Sequence, residues 1–357
     1  MPEAAAPVRL ADHTTLRLGG PAGRFLEVTT EAELVSVVRE ADEAGEPLLL
    51  LAGGSNVVVA DDGFPGTVVK IAVRGVVTDD ASACGGVQVT VAAGETWDDL
   101  VARAVEEGWV GVEALSGIPG AVGATPIQNV GAYGQEVAST IATVRTWDRH
   151  DRRTRTFAAA ECGFGYRHSR FKATPGRFVV LAVTFQLRLG DLSEPVTYAE
   201  LARTLGIEVG QRAPLADVRE AVLGLRRGKG MVLDAADHNT WSAGSFFTNP
   251  VLSAEAASTL PEAAPRWAQP DGTVKTSAAW LIEHAGFGRG HGLDRDGGAV
   301  GLSTRHTLAL TNRGTGTTEQ LMALAREVRD GVEARFGVRL VNEPVLVGCS
   351  LEGQLRQ

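Results

Sequence analysis

Residues 111–134 read GVEALSGIPGAVGATPIQNVGAYG, and this stretch decides how the rest of the chain is understood. It is rich in glycine and apolar residues and poor in charge, yet follows neither a helical nor a strand period. A solvated loop would be more polar. Two readings stay open from the residues alone: an irregular loop buried in a core, or a backbone wrapped around a cofactor. Glycine permits close approach of main chain to a neighbour, which serves either purpose. Within the stretch, Gly117, Ile118, Pro119, Gly120 and Gly123 space their glycines by three, and Gln128 and Asn129 follow.

Upstream, a second glycine cluster, Gly53, Gly54, Ser55 and Asn56, ends the apolar run Leu48–Ala52. Bare main chain after a buried strand can offer N–H groups to a diphosphate. Either cluster alone is more often a tight turn. Together, with Ile118, Ala121 and Val122 as an apolar wall, they suit a large flat cofactor with a diphosphate tail.

Around the clusters the pattern is mixed. Phe25–Val28 reads as a strand. Thr30 and Glu33 form a capping box for a helix that Gly45 stops. Leu48–Ala52, Val57–Ala60, Thr67–Ile71 and Val87–Val91 read as strands. Thr96 and Asp99 mark another helix start, with Gly108 as its stop. Val137–Asp148 and Phe178–Leu189 are strand-like. The turn-rich segment around 190–215 is the expected boundary between two halves. Ala216–Leu225 and Thr276–His284 read as helices. The clearest helix is Glu319–Phe336, with Thr317 and Gln320 as its capping box and Gly337 as its stop.

Composition excludes several classes. The chain has 357 residues, 44% hydrophobic and 22% charged, so it is globular and multi-domain. No apolar run approaches the roughly 20 residues of a membrane span, and MPEAAAPVRLAD has no signal pattern. A net charge of −9 argues against nucleic acid as a partner but leaves room for a local basic pocket. Cys84, Cys162 and Cys349 are three in number and widely spaced, which fits a reducing cytoplasm. No metal site is expected, because the seven histidines lack ligand spacing. Rossmann, P-loop, nucleophile-elbow and zincin motifs are also missing.

LAGGSNVVVADDGFPGTVV (51–69) and GIPGAVGATPIQNVGAYG (117–134) closely resemble the flavin-binding motifs of the UDP-N-acetylenolpyruvoylglucosamine reductase family. The resemblance runs from HTTLRLGGPA (13–22) through CGFGYRHSRFK (162–172), GSFFTNP (244–250) and AAWLIEHAGFGRG (278–290) to NEPVLVG (342–348). It implies an α+β chain in three parts. A two-part FAD-binding half of the vanillyl-alcohol-oxidase type comprises residues 1–70 and 71–212. A C-terminal α+β substrate-binding domain comprises residues 213–357. It also implies non-covalent FAD, NADPH as co-substrate, a sugar-nucleotide substrate and a cytoplasmic enzyme of peptidoglycan precursor synthesis. A monomer is the expectation.

The implied roles transfer residue by residue. Ser245 is the expected proton donor, set between small residues and the aromatic pair Phe246 and Phe247. A lone serine here would otherwise read as a turn or cap. Arg167 suits bidentate recognition of the substrate carboxylate, and Glu343 would hydrogen-bond it when protonated. Arg226 and Lys229, the basic cluster of LRRGKG, are expected near the UDP diphosphate, with Asn249 as a further contact. Tyr198 in TYAEL matches the tyrosine loop of the longer subtype, where many relatives have TYGDL. Arg305 stands where relatives often have a lysine, so no contact is carried over there. An oxygen-reoxidised sugar or alcohol oxidase would share the flavin fold without needing Ser245 or Asn342-Glu343-Pro344. A mere flavin-binding module would give no reason for Arg167, Ser245 and Glu343 together.

Overall fold

The structure, a computed structural model, describes residues 7–79 and 85–352. Cys84 and the first six residues lie outside the described residues. By their contacts the residues form two compact units. The first comprises the N-terminal stretch up to Gly23, the short segment Gly54–Pro65, and everything from Leu233 onward; the second comprises Arg24–Gly53 and Gly66–Val232.

In the second unit, Thr30 accepts the Glu33 N–H at 3.2 Å and opens the helix Glu31–Ala44. The reciprocal bond of the expected capping box goes one residue back, because Glu33 takes the N–H of Thr29 at 3.1 Å. Gly45 adopts φ 66, a left-handed value natural to glycine, and ends the helix. The helix links Ala22–Val28 to Leu48–Leu51, and both strands flank Phe64–Ile71 in a three-stranded sheet. Leu48–Leu51 runs parallel to Thr67–Lys70. Leu34, Val38, Val28 and Val69 fill the space between helix and sheet, together with Trp147, Val179 and Leu181.

An antiparallel sheet follows, in the order Arg153–Ala158, Ile141–Asp148, Phe178–Leu189, Val87–Ala92, Val76–Thr78. Val183 pairs with Val144 on one side and Val91 on the other. Val89, Val91 and Phe185 pack with Trp97, Leu100 and Val101 of the helix Trp97–Glu106. Two expectations change here. The strand read as Val137–Asp148 begins only at Ile141, because Val137–Ser139 is a 3-10 turn closed by the Thr140 hydroxyl on the Val137 carbonyl (3.1 Å). Arg153–Ala158 carried no strand reading, since Phe157 is its one buried side chain and it lies at the sheet edge. Beyond the sheet, the helices Ala199–Leu205 and Leu215–Gly228 share a small core of Val196, Leu201, Ala202, Val218 and Val222. Residues 213–232 belong by contact to this second unit.

The first unit is organised by the helix Thr318–Phe336, which has both halves of its capping box and ends at Gly337 (φ 68). Leu321, Leu324, Ala325, Val328 and Val332 pack against Phe246, Phe247, Leu281, Ile282 and Leu302. Val57–Val59 joins the unit as a parallel partner of Val345–Val347. Just beyond that strand, the Asp61 carboxylate accepts the N–H groups of Thr318 (2.8 Å) and Glu319 (2.9 Å), and the Thr318 hydroxyl donates to the Val59 carbonyl (2.6 Å). An acid satisfies open N–H groups and complements the helix dipole at this end. The helix expected at Thr276–His284 starts at Ala278, because Val274–Thr276 is the central strand of a small sheet and Ser277 caps the helix by accepting the Trp280 N–H.

Asp61→Ala should lower unfolding stability by about 1 kcal/mol, the usual worth of a helix cap. The urea midpoint should fall with an unchanged m-value, and an unmoved midpoint would remove Asp61 from the account.

Candidate active site

The 111–136 segment is irregular in the structure, as its sequence suggested. It holds only the short 3-10 turns Glu113–Leu115 and Val122–Ala124 and the two-residue strands Gly131–Ala132 and Gln135–Glu136. Main chain of this kind must find partners outside regular ladders. Asp98, in the first turn of Trp97–Glu106, accepts the Gly117 N–H at 2.6 Å and grips Arg219 of Leu215–Gly228 through both oxygens (2.8 and 2.9 Å). Burial pushes the Asp98 carboxyl upward. The Arg219 bonds, the Gly117 N–H and the Arg226 charge outweigh this and hold it below its usual value. Glu113 is fully buried and accepts the Gly111 N–H (2.7 Å), the Glu194 N–H (2.8 Å) and the Gln135 side-chain amide (2.9 Å).

The glycines first serve contacts between chain segments. A Cβ on Gly53 would stand 2.5 Å from the Gly120 Cα, so the two clusters meet main chain to main chain. Gly120 itself holds φ 126, and a Cβ on Gly123 would meet the Ala93 Cβ at 2.5 Å. Gly53, Ile118, Pro119 and Gly120 stay partly exposed in the cradle. Bare, closely apposed main chain of this kind fits a flat ring with a diphosphate tail.

Asn129, Tyr133 and Arg167 all hold left-handed φ values (48, 48 and 51), uncommon for non-glycine residues and frequent at functional sites. Asn129 is buried. Its amide nitrogen donates to Glu136 (2.7 Å) and to the Gly165 carbonyl (3.1 Å), and its oxygen accepts the Ala138 N–H (3.1 Å). Arg167 donates to the Gly131 carbonyl at 2.9 Å, while Lys172 donates to the Arg167 carbonyl at 3.1 Å. The CGFGYRHSRFK turn is thereby clipped to the glycine loop, and Gln128 lies half-buried on that loop.

Arg226 and Lys229 come at and just beyond the end of Leu215–Gly228. Arg226 is only 8% exposed. It donates to the Met231 carbonyl (2.8 Å), and its Nε has no hydrogen-bond partner among the described residues. That Nε lies 3.5 Å from where a Cβ of Gly117 would be. Burial pushes the guanidinium below its ordinary value, against the pull of Tyr133 and Asp98. The Lys229 ammonium donates to Glu200 at 2.6 Å and lies 5.7 Å from the Tyr133 ring centre. Burial lowers Lys229, but the Glu200 bond and the neighbouring tyrosines carry it above its usual value. Tyr198 is exposed and meets Tyr133 edge-on at 5.5 Å. Tyr133, Glu200, Asp98 and Glu113 were not singled out from the sequence. Tyr133 and Glu113 lay inside the quoted loop and Glu200 inside TYAEL, but nothing local distinguished them.

In the first unit, Gly54 (φ 62) packs on the 13–15 turn and accepts the Thr15 N–H at 3.0 Å, and Ser55 is half-buried beside it. The Asn56 carbonyl accepts the Val345 N–H (3.0 Å). Ser245 follows Gly244 (φ 74) and precedes the buried, edge-on pair Phe246 and Phe247. Glu343 donates its N–H to the Phe246 carbonyl (2.8 Å), and Thr248 donates to Val341 (3.0 Å). Asn56, Ser245 and Glu343 thus sit on adjoining segments. Asn249 lies further along, its side-chain oxygen accepting the Ala278 N–H at 3.0 Å. Arg305 pairs with Asp237 at 2.9 Å. Among the described residues no helix is long and apolar enough to cross a membrane, and no group of His, Cys, Asp or Glu is placed to hold a metal.

Residues 22–155 match the family described as FAD binding domain, which places this α+β chain among the FAD-binding proteins. Residues 236–347 match the C-terminal domain of UDP-N-acetylenolpyruvoylglucosamine reductase. The chain is 58% identical to the UDP-N-acetylenolpyruvoylglucosamine reductase of Cutibacterium acnes, over 96% of this chain and 90% of that one. It is 57% identical to that of Thermobifida fusca, over 97% and 99%. It is also similar to the crystal structure of UDP-N-acetylenolpyruvylglucosamine reductase from Thermus caldophilus, at 25% identity and a TM-score of 0.65 over 96% of this chain and 98% of that one. The chain belongs to the UDP-N-acetylenolpyruvoylglucosamine reductase family.

Asp98→Asn should weaken FAD retention about tenfold, as a difference of roughly 1.4 kcal/mol would, read from flavin fluorescence on dilution. Because the folded carboxyl titrates below its ordinary value of roughly 4, its contribution persists above that pH and is lost as pH falls through the lower folded value. Wild-type flavin release on acidification should therefore include a step below pH ~4 that Asp98→Asn lacks. Equal retention in both proteins would contradict the clasp.

Proposed function

We propose that this chain reduces the enolpyruvyl ether of UDP-N-acetylenolpyruvoylglucosamine to the lactyl ether of UDP-N-acetylmuramate, with FAD and NADPH, in cytoplasmic peptidoglycan precursor synthesis. Membership of the family supports the reaction. The observation that carries the assignment of roles is the adjoining placement of Ser245 and Glu343, held by the Glu343 N–H on the Phe246 carbonyl (2.8 Å). FAD, held by the glycine loops, would supply the hydride chemistry that links NADPH to C3 of the enol ether.

The chain's own residues would do the rest. Ser245 hands a proton to C2. A serine hydroxyl is a weak acid, so it depends on position, and the buried Phe246 and Phe247 rings beside it fix its main chain. Arg167, by its planar guanidinium, suits a substrate carboxylate, and Glu343 suits hydrogen bonding to a carboxylate when protonated. Arg226 and Lys229 attract the diphosphate. Arg226 does so from a site with little water, where charge acts further than in solvent. Tyr198 lies over the sugar nucleotide, and Asn249 is a further contact from the helix-capping turn. Gly53, Gly54, Ser55, Asn56, Gly117, Ile118, Pro119, Gly120, Gly123, Gln128 and Asn129 would line or support the flavin. The reading is of a cytoplasmic enzyme that acts as a monomer.

The two half-reactions separate these roles. In Ser245→Ala, NADPH should still bleach the flavin at a near-normal rate, while reoxidation by the enolpyruvyl sugar nucleotide should slow by about 10²–10⁴-fold, the worth of general acid catalysis. Ser245→Cys should recover part of the loss. Equal slowing of both half-reactions in stopped flow would make the serine structural and end its assignment as proton donor.

A further inference from the structure

Lys229 does not wait for its ligand alone. Its ammonium is bonded to Glu200 at 2.6 Å, and both side chains are about a third exposed, so the pair can exchange partners without opening a core. Glu200 stands in the first turn of the helix Ala199–Leu205, whose N-cap residue is Tyr198. One short element therefore carries both the acid that occupies Lys229 and the tyrosine that meets Tyr133 edge-on. Tyr133 in turn faces Lys229 at 5.7 Å, and a Cβ on the next residue, Gly134, would collide with the Thr197 hydroxyl at 2.2 Å. The 131–134 turn, the Tyr198 segment and Lys229 thus form one packed cluster tied by the Lys229–Glu200 ion pair.

We propose that Glu200 is a resident counter-ion: it holds Lys229 and the Tyr198 segment together in the free enzyme, and the diphosphate of the sugar nucleotide must displace it to reach Lys229. This rests on the function proposed above. Partly exposed ion pairs of this kind are individually weak, so a polyanion with several acceptor oxygens can win the exchange. Arg226 adds to the attraction, because it is buried beside Gly117 and its Nε has no hydrogen-bond partner among the described residues. The carboxylate nevertheless opposes every anion that approaches Lys229, and its removal should strengthen binding. Glu200 is therefore a positioning residue with a sign opposite to that of a substrate contact.

The test is a titration of flavin-loaded enzyme with uridine diphosphate as probe, alongside steady-state kinetics. Glu200→Gln should tighten the probe and lower KM for the enolpyruvyl sugar nucleotide by about two- to fivefold, with kcat changed far less; the gain should shrink at high salt, where partly exposed charges are screened. Glu200→Asp keeps the charge but shortens the reach, and should show part of the gain. In a Lys229→Ala background, Glu200→Gln should have no further effect. Weaker or unchanged probe binding in Glu200→Gln, or a full gain in the Lys229→Ala background, would overturn the proposal. If wild-type enzyme fails to turn over the enolpyruvyl sugar nucleotide with NADPH, the functional reading falls separately, since the probe titration still reports the exchange at Lys229.

Discussion

Across residues 111–136 the main chain forms only short 3-10 turns and a pair of two-residue strands, so side-chain acceptors inside the segment and beyond it complete the hydrogen bonding. Asp98 takes the Gly117 N–H, Glu113 takes those of Gly111 and Glu194, and Asn129 takes that of Ala138. Bonds to charged acceptors are worth about 1.5–3 kcal/mol each, and losing one strands a donor at similar cost. Each acceptor also reaches a second element. Asp98 grips Arg219, so the glycine loop and the helix that carries Arg226 and Lys229 are set by one carboxylate. Glu113 ties the start of the loop to Gln135 and to the main chain just before the Tyr198 segment. The candidate flavin cradle and the candidate diphosphate cluster are therefore parts of one polar network.

The glycines serve this arrangement before they serve any ligand. Gly53 and Gly120 touch through their main chains, and Gly123 lies against Ala93. At Gly53 and Gly120 the two glycine clusters thus meet in one thin wall of main chain. In the first unit a comparable economy of structure places Asn56, Ser245 and Glu343 on adjoining segments, with the C-terminal helix anchored on Asp61.

Helices with strong caps were legible in the sequence. Thr317 with Gln320 and Gly337, or Thr30 with Gly45, act through local chemistry that spacing reveals. The buried strands Phe178–Leu189 and Val87–Ala92 were legible as well, because both carry continuous or alternating β-branched residues. Arg153–Ala158 was not, as an edge strand buries only Phe157. The membership of Gly54–Pro65 in the first unit has no local signature either, since it depends on pairing with Val345–Val347, far away in sequence. Candidate residues embedded in long motifs could be named in advance. Glu113, Asp98 and Glu200 could not, because a buried carboxylate and a solvated one look alike until their partners are known.

The central claim is that one chain passes reducing equivalents from NADPH through FAD to an enolpyruvyl sugar nucleotide. An anaerobic single-turnover titration of the purified yellow protein tests it most directly. The account requires that stoichiometric NADPH bleach the flavin, and that one equivalent of enolpyruvyl sugar nucleotide then restore the full oxidised colour with formation of the lactyl ether. A bleached flavin that regains colour only when oxygen is admitted, with no lactyl product, would contradict it.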